Sequence, residues 1–137
     1  MTVMQTIAAD RFAVALNGIF SNVESQLTTN LDEPVEEACK AAKKSLRKKG
    51  QPYRDRPTKK GLYRTGFNHR VNKKGKYEAV GYVGNSRKPG LVHLLEKGHA
   101  TMRGGRTRAF EHMRPAAEIG ERVLLEEAEK LVDEALR

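Results

Sequence analysis

The sequence predicts an α+β fold, with N-terminal helices and a C-terminal helix packed on a small antiparallel β-sheet. Three observations predict it. Apolar residues recur at intervals of three and four in the first fifty positions, they alternate with polar or small residues from about residue 62 to residue 83, and the helical period returns after Pro115. A chain of 137 residues, 38% hydrophobic and 31% charged, suits one domain over residues 1–137, with a modest core that further subunits could complete.

The helical region is predicted over residues 10–49 as two helices. The first, over about residues 10–28, carries an apolar stripe of Phe12, Leu16, Ile19, Phe20, Val23 and Leu27. Thr29 and Asn30 interrupt it. Asp32 then offers a capping oxygen and Pro34 suits a first turn, so a second helix is predicted over residues 33–49. Its lone cysteine, Cys39, lies among small apolar residues and is predicted to be a buried, unreactive thiol.

Residues 50–61 contain Pro52 and Pro57 among several charges and are predicted to form an exposed basic loop. A β-hairpin is predicted over residues 62–83, with its turn at 72–75. A short helix and a glycine-rich basic loop follow over residues 91–114, and the C-terminal helix covers residues 115–136. Two strands alone are marginal in water, so a further strand is expected from the loop between Arg106 and Phe110 or from a partner.

The segment from Leu91 to Ala116 has an unusual order of residues. It reads L-x-H-L-L-E-x-G-H-A from Leu91 to Ala100, then a basic loop with Gly104 and Gly105, then H-x-x-P-A from His112. This order resembles a segment of the neck or tail-completion proteins of long-tailed bacteriophages. The resemblance extends upstream to a P-x-x-x-G-x-Y pattern, an aromatic residue four positions later and an Asn that ends the hairpin, here Pro57, Gly61, Tyr63, Phe67 and Asn85.

The resemblance implies a structural virion protein of a phage or prophage, with no enzymatic activity. Such a protein joins the head connector to the tail as part of a ring-shaped assembly through which DNA passes. Its expected partners are connector and tail proteins and further copies of itself, and its expected location is the neck or tail of the virion, with the host cytoplasm as the place of assembly. The expected contacts with other subunits or with the connector lie in the exposed loop and are Arg103, Arg106, Arg108 and Phe110.

Positive charge is concentrated in the middle of the chain. Residues 40–76 hold 15 Lys or Arg and one acid, a net charge of +14, whereas the whole chain carries +9. Such a segment attracts phosphate backbones without reading bases, and a solvated basic face is the plainer interpretation. The predicted DNA-facing residues are Lys43, Lys44, Arg47, Lys48, Lys49, Lys59 and Lys60. The alternative function is a small basic nucleic-acid-binding protein without catalytic activity.

Catalytic and metal-binding motifs are not evident in the sequence. His93, Glu96 and His99 are spaced by three, but Gly98 should end their helix, so these residues and His112 are predicted to be structural anchors of the loop. No nucleophile elbow or phosphate-binding loop occurs, and no cofactor or metal is predicted. No apolar run approaches the roughly 20 residues of a membrane span, and residues 1–10 lack a signal-peptide pattern, so no membrane contact is expected.

Overall fold

The computed structural model describes residues 3–55, 57–59 and 61–137. Within these residues it contains four α-helices and four β-strands. In chain order they are α1 (Val3–Thr29), α2 (Asp32–Arg47), β1 (Pro57–Thr58), β2 (Gly61–Leu62), β3 (Phe67–Gly75), β4 (Glu78–Asn85), α3 (Pro89–Lys97) and α4 (Met113–Ala135). The predicted α+β class is confirmed, because helices from both ends of the chain pack with a small antiparallel sheet.

Helix α2 is the centre of the fold. It packs against both strands of the β3–β4 hairpin and also against α4. Small residues permit both contacts. A Cβ atom at Gly120 of α4 would lie 3.5 Å from the Cβ of Ala42, and one at Gly81 of β4 would lie only 2.8 Å from Cγ1 of Val35 and closer still to Sγ of Cys39. Cys39 is buried, as predicted, and burial raises the pKa of its thiol.

The hairpin is shifted along the chain from its predicted position. Strands β3 and β4 pair from Phe67 opposite Asn85 to Gly75 opposite Glu78, with an irregularity between Lys73 and Gly75. The turn therefore lies at residues 76–77 and not at 72–75. The prediction failed here because polar residues occupy both faces of the hairpin near its tip, so the period-two pattern no longer marks where the strand ends.

The predicted first strand residues, Tyr63 and Thr65, lie outside β3. A short 3-10 turn, Arg64–Gly66, replaces the start of the strand. The predicted third strand is also absent from the described residues, since the loop after α3 forms only an isolated bridge between Ala100 and Arg106. A separate two-stranded pairing joins β1 to β2 instead.

The core lies at one end of the hairpin. Its buried residues come from α2, from the segment before β3, from the first position of β3 and from α4, and they are Ala42, Leu46, Tyr53, Tyr63, Phe67 and Ala116. Tyr53 belongs to the loop predicted to be exposed, which is thus anchored from within. Helix α3 has no fully buried residue, but Leu91 and Leu95 pack against the same cluster.

Helix α1 is attached to the body of the protein by its C-terminal part. Glu24 accepts hydrogen bonds from Tyr77 Oη (2.5 Å) and Lys76 Nζ (3.0 Å) at the hairpin tip, and these donors lower the pKa of its carboxyl group. Further toward the N-terminus, residues 11–22 are all exposed. The predicted stripe is therefore amphipathic in sequence but faces solvent over most of its length, because α1 extends past the elements that could cover it.

Candidate functional site

A groove of about 930 Å³ opens between residues 53–54 and 57–59, helix α3 and the segment at residues 107–110. Its floor and walls are mostly apolar, with the side chains of Tyr53, Tyr63, Leu91, Leu94, Leu95 and Phe110. Its rim is basic, with Arg54, Lys59, Arg87, Lys88 and Arg108, and no described lining residue is acidic. The groove therefore presents an apolar floor with positive charge on its rim.

Aromatic rings support the floor of the groove. Tyr53 and Tyr63 meet edge to face with ring centroids 5.2 Å apart, and Tyr63 meets Phe67 in the same way at 5.2 Å. The ring of His112 lies 5.0 Å from that of Tyr53. Burial raises the pKa of both tyrosines, so their hydroxyl groups stay protonated at neutral pH.

Glu96 joins α3 to the start of α4. Its carboxylate accepts hydrogen bonds from the backbone N–H groups of His112 (2.9 Å), Met113 (2.8 Å) and Arg114 (3.1 Å). These are N–H groups at the N-terminus of α4, which no residue within the helix can satisfy. Glu96 thus serves as an N-terminal cap supplied by another helix, and it fixes the angle between α3 and α4 beside the groove.

His112 completes this junction. Its ring is buried, and Nδ1 donates a hydrogen bond to the carbonyl oxygen of Phe110 at 2.8 Å. Because that carbonyl can only accept, Nδ1 carries a proton, and Nε2 forms a hydrogen bond with Tyr63 Oη at 3.0 Å. The histidine therefore connects the loop, the start of α4 and the aromatic floor of the groove.

Asn85 positions two basic residues of the rim. It is 4% exposed at the end of β4 and donates a hydrogen bond to the carbonyl oxygen of Tyr63 at 2.7 Å. Its Oδ1 accepts from the backbone N–H groups of Arg87 (3.0 Å) and Lys88 (2.9 Å). Arg87 in turn donates to the carbonyl oxygen of Leu62 at 2.8 Å and to the hydroxyl of Thr65. This network sets the turn from β4 into α3.

The loop after α3 is closed by its own hydrogen bonds. Gly98 begins it with a positive φ of 70°, and a Cβ atom there would lie 2.5 Å from the carbonyl oxygen of Thr107, so only glycine fits. Thr107 pairs with His99 through its backbone N–H (2.8 Å) and through its hydroxyl, which accepts from the His99 N–H (2.9 Å). The loop is thus a short folded finger with an exposed tip.

The predicted contact residues occupy two different places. Arg103 and Arg106 are exposed at and near the tip of the finger, whereas Arg108 lies on the rim of the groove with its guanidinium 5.4 Å from the ring of Phe110. The expectation that Phe110 belongs to a freely exposed loop is corrected. It is half-buried against the core, and its backbone N–H donates to the carbonyl oxygen of Leu95 at 2.6 Å.

The predicted loop anchors also differ from one another. Glu96 and His112 make the junction contacts described above, and His99 forms a hydrogen bond with Thr107 at the base of the finger while its ring stays exposed (Nδ1 to Oγ1, 3.1 Å). His93 is exposed on α3, and its side chain makes no hydrogen bond within the described parts of the chain. The anchor prediction is therefore wrong for His93. Its position on the helix faces solvent and not the loop.

The predicted DNA-facing residues do not form one surface. Lys44, Arg47 and Lys48 line a second concave surface of about 750 Å³ beside Ile119 of α4, and Lys43 is half-buried on the same helix. Lys49 is exposed just after α2, and Lys59 lies on the rim of the groove. Lys60 is outside the described residues. The second helix ends at Arg47, so Lys48 and Lys49 lie beyond it and not in its last turn.

Sequence reasoning missed four residues of the groove: Tyr53, Arg54, Arg87 and Lys88. Tyr53 was the detectable one, because a lone aromatic residue in a polar, proline-containing loop is a candidate anchor. The other three are basic residues without a distinguishing sequence pattern, and only the fold brings Arg54 to the same groove as Arg87 and Lys88.

Neither a metal site nor a membrane-spanning helix is found among the described residues. Within residues 3–55, 57–59 and 61–137, no group of three or more His, Cys, Asp or Glu side chains is arranged to hold a metal ion. Across the same ranges, no helix combines the length and the hydropathy needed to cross a bilayer.

Comparisons with protein-family models, with curated proteins and with solved structures found no match for this chain.

Proposed function

We propose that this chain is a structural protein of a phage or prophage virion, which joins the head connector to the tail as part of a ring-shaped neck or tail-completion assembly. The observation that carries the proposal is the uncovered apolar face of α1. Phe12, Ile19 and Phe20 are 69%, 59% and 61% exposed. Large apolar side chains grouped in this way mark a surface that another protein covers.

The energetics of α1 support an assembly role. The helix is about 40 Å long at 1.5 Å per residue, yet within residues 11–29 its contacts with the body of the protein lie near its C-terminal end. Helices in proteins owe most of their stability to the packing of an apolar face, and that packing is missing over residues 11–22. In the functional state this part of α1 therefore contacts a neighbouring subunit.

The setting of the assembly comes from the resemblance of residues 91–116 to phage neck and tail-completion proteins. The groove and the finger fit the same role. The groove is concave and the finger protrudes, and subunits use surfaces of both kinds to contact one another. The exposed arginines of the finger, Arg103 and Arg106, supply charge-assisted contacts to acidic groups of a neighbour.

The alternative function, nucleic-acid binding, is favoured by one observation. Lys44, Arg47 and Lys48 lie together on the concave surface beside Ile119. In a ring this surface would contact the passing DNA through phosphates, which needs no sequence specificity. As a solitary DNA-binding protein, the chain would leave the apolar face of α1 unexplained.

Complementation tests the proposal. A phage that lacks the gene is supplied with a triple variant, Phe12→Ala, Ile19→Ala and Phe20→Ala, which removes the apolar face without touching the core. We expect filled heads and separate tails to accumulate. The matched control replaces exposed polar residues of the same helix, Asn17→Ala and Asn22→Ala, and should give normal particles.

Two outcomes would contradict the proposal. Normal yields of joined, infectious particles from a phage with the whole gene deleted would exclude the head-to-tail joining role. Normal yields from the folded triple variant, verified by circular dichroism, would exclude α1 as an assembly surface.

A further inference from the structure

The exposed face of α4 matches the groove in its apolar side chains and is opposite to it in charge. Leu125, Val132 and Leu136 are 60%, 42% and 66% exposed. Their spacing of seven and four residues places them on one side of the helix, which is the anchor spacing of helices that bind in grooves. Between Leu125 and Leu136 the chain has five acids and one base.

The acidic groups lie beside the apolar stripe. Glu129 and Asp133 share the exposed side of α4 with Leu125, Val132 and Leu136, whereas Leu131 and Ala135 face the body of the protein. The helix therefore presents an apolar line flanked by carboxylates, and the groove presents an apolar floor with five cations and no described acid on its rim.

We propose that the groove of one copy binds the C-terminal half of α4 of a second copy. The contact cannot be made within one chain. The N-terminus of α4 is tied to Glu96 beside the groove, and the stripe begins twelve residues further on, about 18 Å along the helix axis. The groove and the stripe thus lie at different ends of the molecule, and the stripe points away from α2.

A contact of this kind is heterologous, because each copy uses its groove toward one neighbour and its helix toward the other. Such a contact closes into a ring when the rotation between copies permits, and otherwise continues as a filament. The inference deepens the proposed function and rests on it for the closed ring. The pairing of the two surfaces rests on their apolar stripes and opposite charges.

Charge reversal of each surface tests the pairing. The groove variant carries Arg54→Glu and Lys88→Glu, two exposed rim residues whose side chains take no part in the network of Asn85 and Arg87, to which Lys88 contributes only its backbone N–H. The helix variant carries Glu129→Lys and Asp133→Lys. Sedimentation velocity of the full chain at low salt should show the wild type self-associating with rising concentration, and each variant associating at least about tenfold more weakly.

Mixing makes the test specific. The normal helix of the groove variant fits the normal groove of the helix variant, and the reversed helix of the second is opposite in charge to the reversed groove of the first. An equimolar mixture should therefore regain association, although neither variant associates well alone. A chain with all four substitutions should regain self-association. The control reverses two exposed cations elsewhere, Lys40→Glu and Lys74→Glu, and should associate as the wild type does.

Three results would overturn the inference. The first is a wild-type chain that stays monomeric up to about 1 mM. The second is unchanged association in either variant. The third is an equimolar mixture of the two variants that associates no more strongly than either variant alone. None of these bears on the head-to-tail joining role, which the gene deletion tests separately, so the two failures are distinguishable.

Discussion

Removal of the Glu96 carboxylate should weaken the junction between α3 and α4 more than any surface substitution nearby. Three backbone N–H groups at the start of α4 donate to this side chain at 2.8–3.1 Å, and it is 15% exposed. A lost N-terminal cap costs about 0.5–2 kcal/mol, and hydrogen bonds to a charged group contribute about 1.5–3 kcal/mol each without being additive. We expect Glu96→Ala to lower the free energy of unfolding by about 2–4 kcal/mol.

The substitution Glu96→Gln separates the charge from the hydrogen bonds. The amide keeps one acceptor oxygen but loses the negative charge at the positive end of the helix dipole, so the expected loss is about 1–2 kcal/mol. Urea denaturation at pH 7 measures both variants. The control is Glu111→Gln, a carboxylate at the same end of α4 whose side chain is 57% exposed, and it should change stability by less than about 0.5 kcal/mol.

The pH dependence gives an independent check. Burial acts to raise the pKa of Glu96, but the three N–H donors outweigh it and the net pKa is lowered. A lowered pKa in the folded state means that the stabilisation is fully present above the unfolded value, about pH 4.3, and is lost as the pH falls through the folded value. The difference between the wild type and Glu96→Gln should therefore shrink below about pH 4. Equal stability of the two proteins at pH 7, or a constant difference down to pH 3, would refute the capping role.

Three further predictions concern the core and the basic surface. Leu95→Ala should lower the free energy of unfolding by about 1–3 kcal/mol because Leu95 packs on the core. Leu94→Ala, at the wall of the groove, should lower it by less than about 1 kcal/mol. Equal thermal melts of the two variants would contradict this assignment. Gly81→Ala should lower the free energy of unfolding by at least about 1–3 kcal/mol because its Cβ would meet Cys39. Gly84→Ala, with open space around it, serves as the control. Matching thermal melts of the two variants would contradict the close contact between α2 and the hairpin. The chain should bind duplex DNA weakly and without sequence preference. Neutralisation of Lys44, Arg47 and Lys48 on the second concave surface should reduce the salt dependence of binding, lowering the slope of log K against log salt by about 2–3. An unchanged slope would place the DNA contact elsewhere.

The sequence by itself determined the types of the main elements and their order. Helix α2, the hairpin and α4 follow from periodicity, because the spacing of apolar residues reports which side of a local element avoids water. The same local information placed Cys39 inside the protein and marked Glu96 and His112 as residues that satisfy the loop. Boundaries were less certain where both faces are polar, as at the hairpin tip.

Only the tertiary structure decided what covers each apolar face. The sequence predicts an apolar stripe on α1 as well as on α2, but the hairpin and α4 cover α2 and leave residues 11–22 of α1 exposed. Likewise, Tyr53 lies in the core although the composition predicts that its loop is solvated. Phe110 packs against the core although its loop was predicted to be exposed. The groove brings together residues from 53–54 and 57–59, from 87–95 and from 107–110, which are distant in sequence. Periodicity describes a single element, whereas a binding surface depends on the relative positions of several, and those positions are fixed by packing and hydrogen bonds between elements.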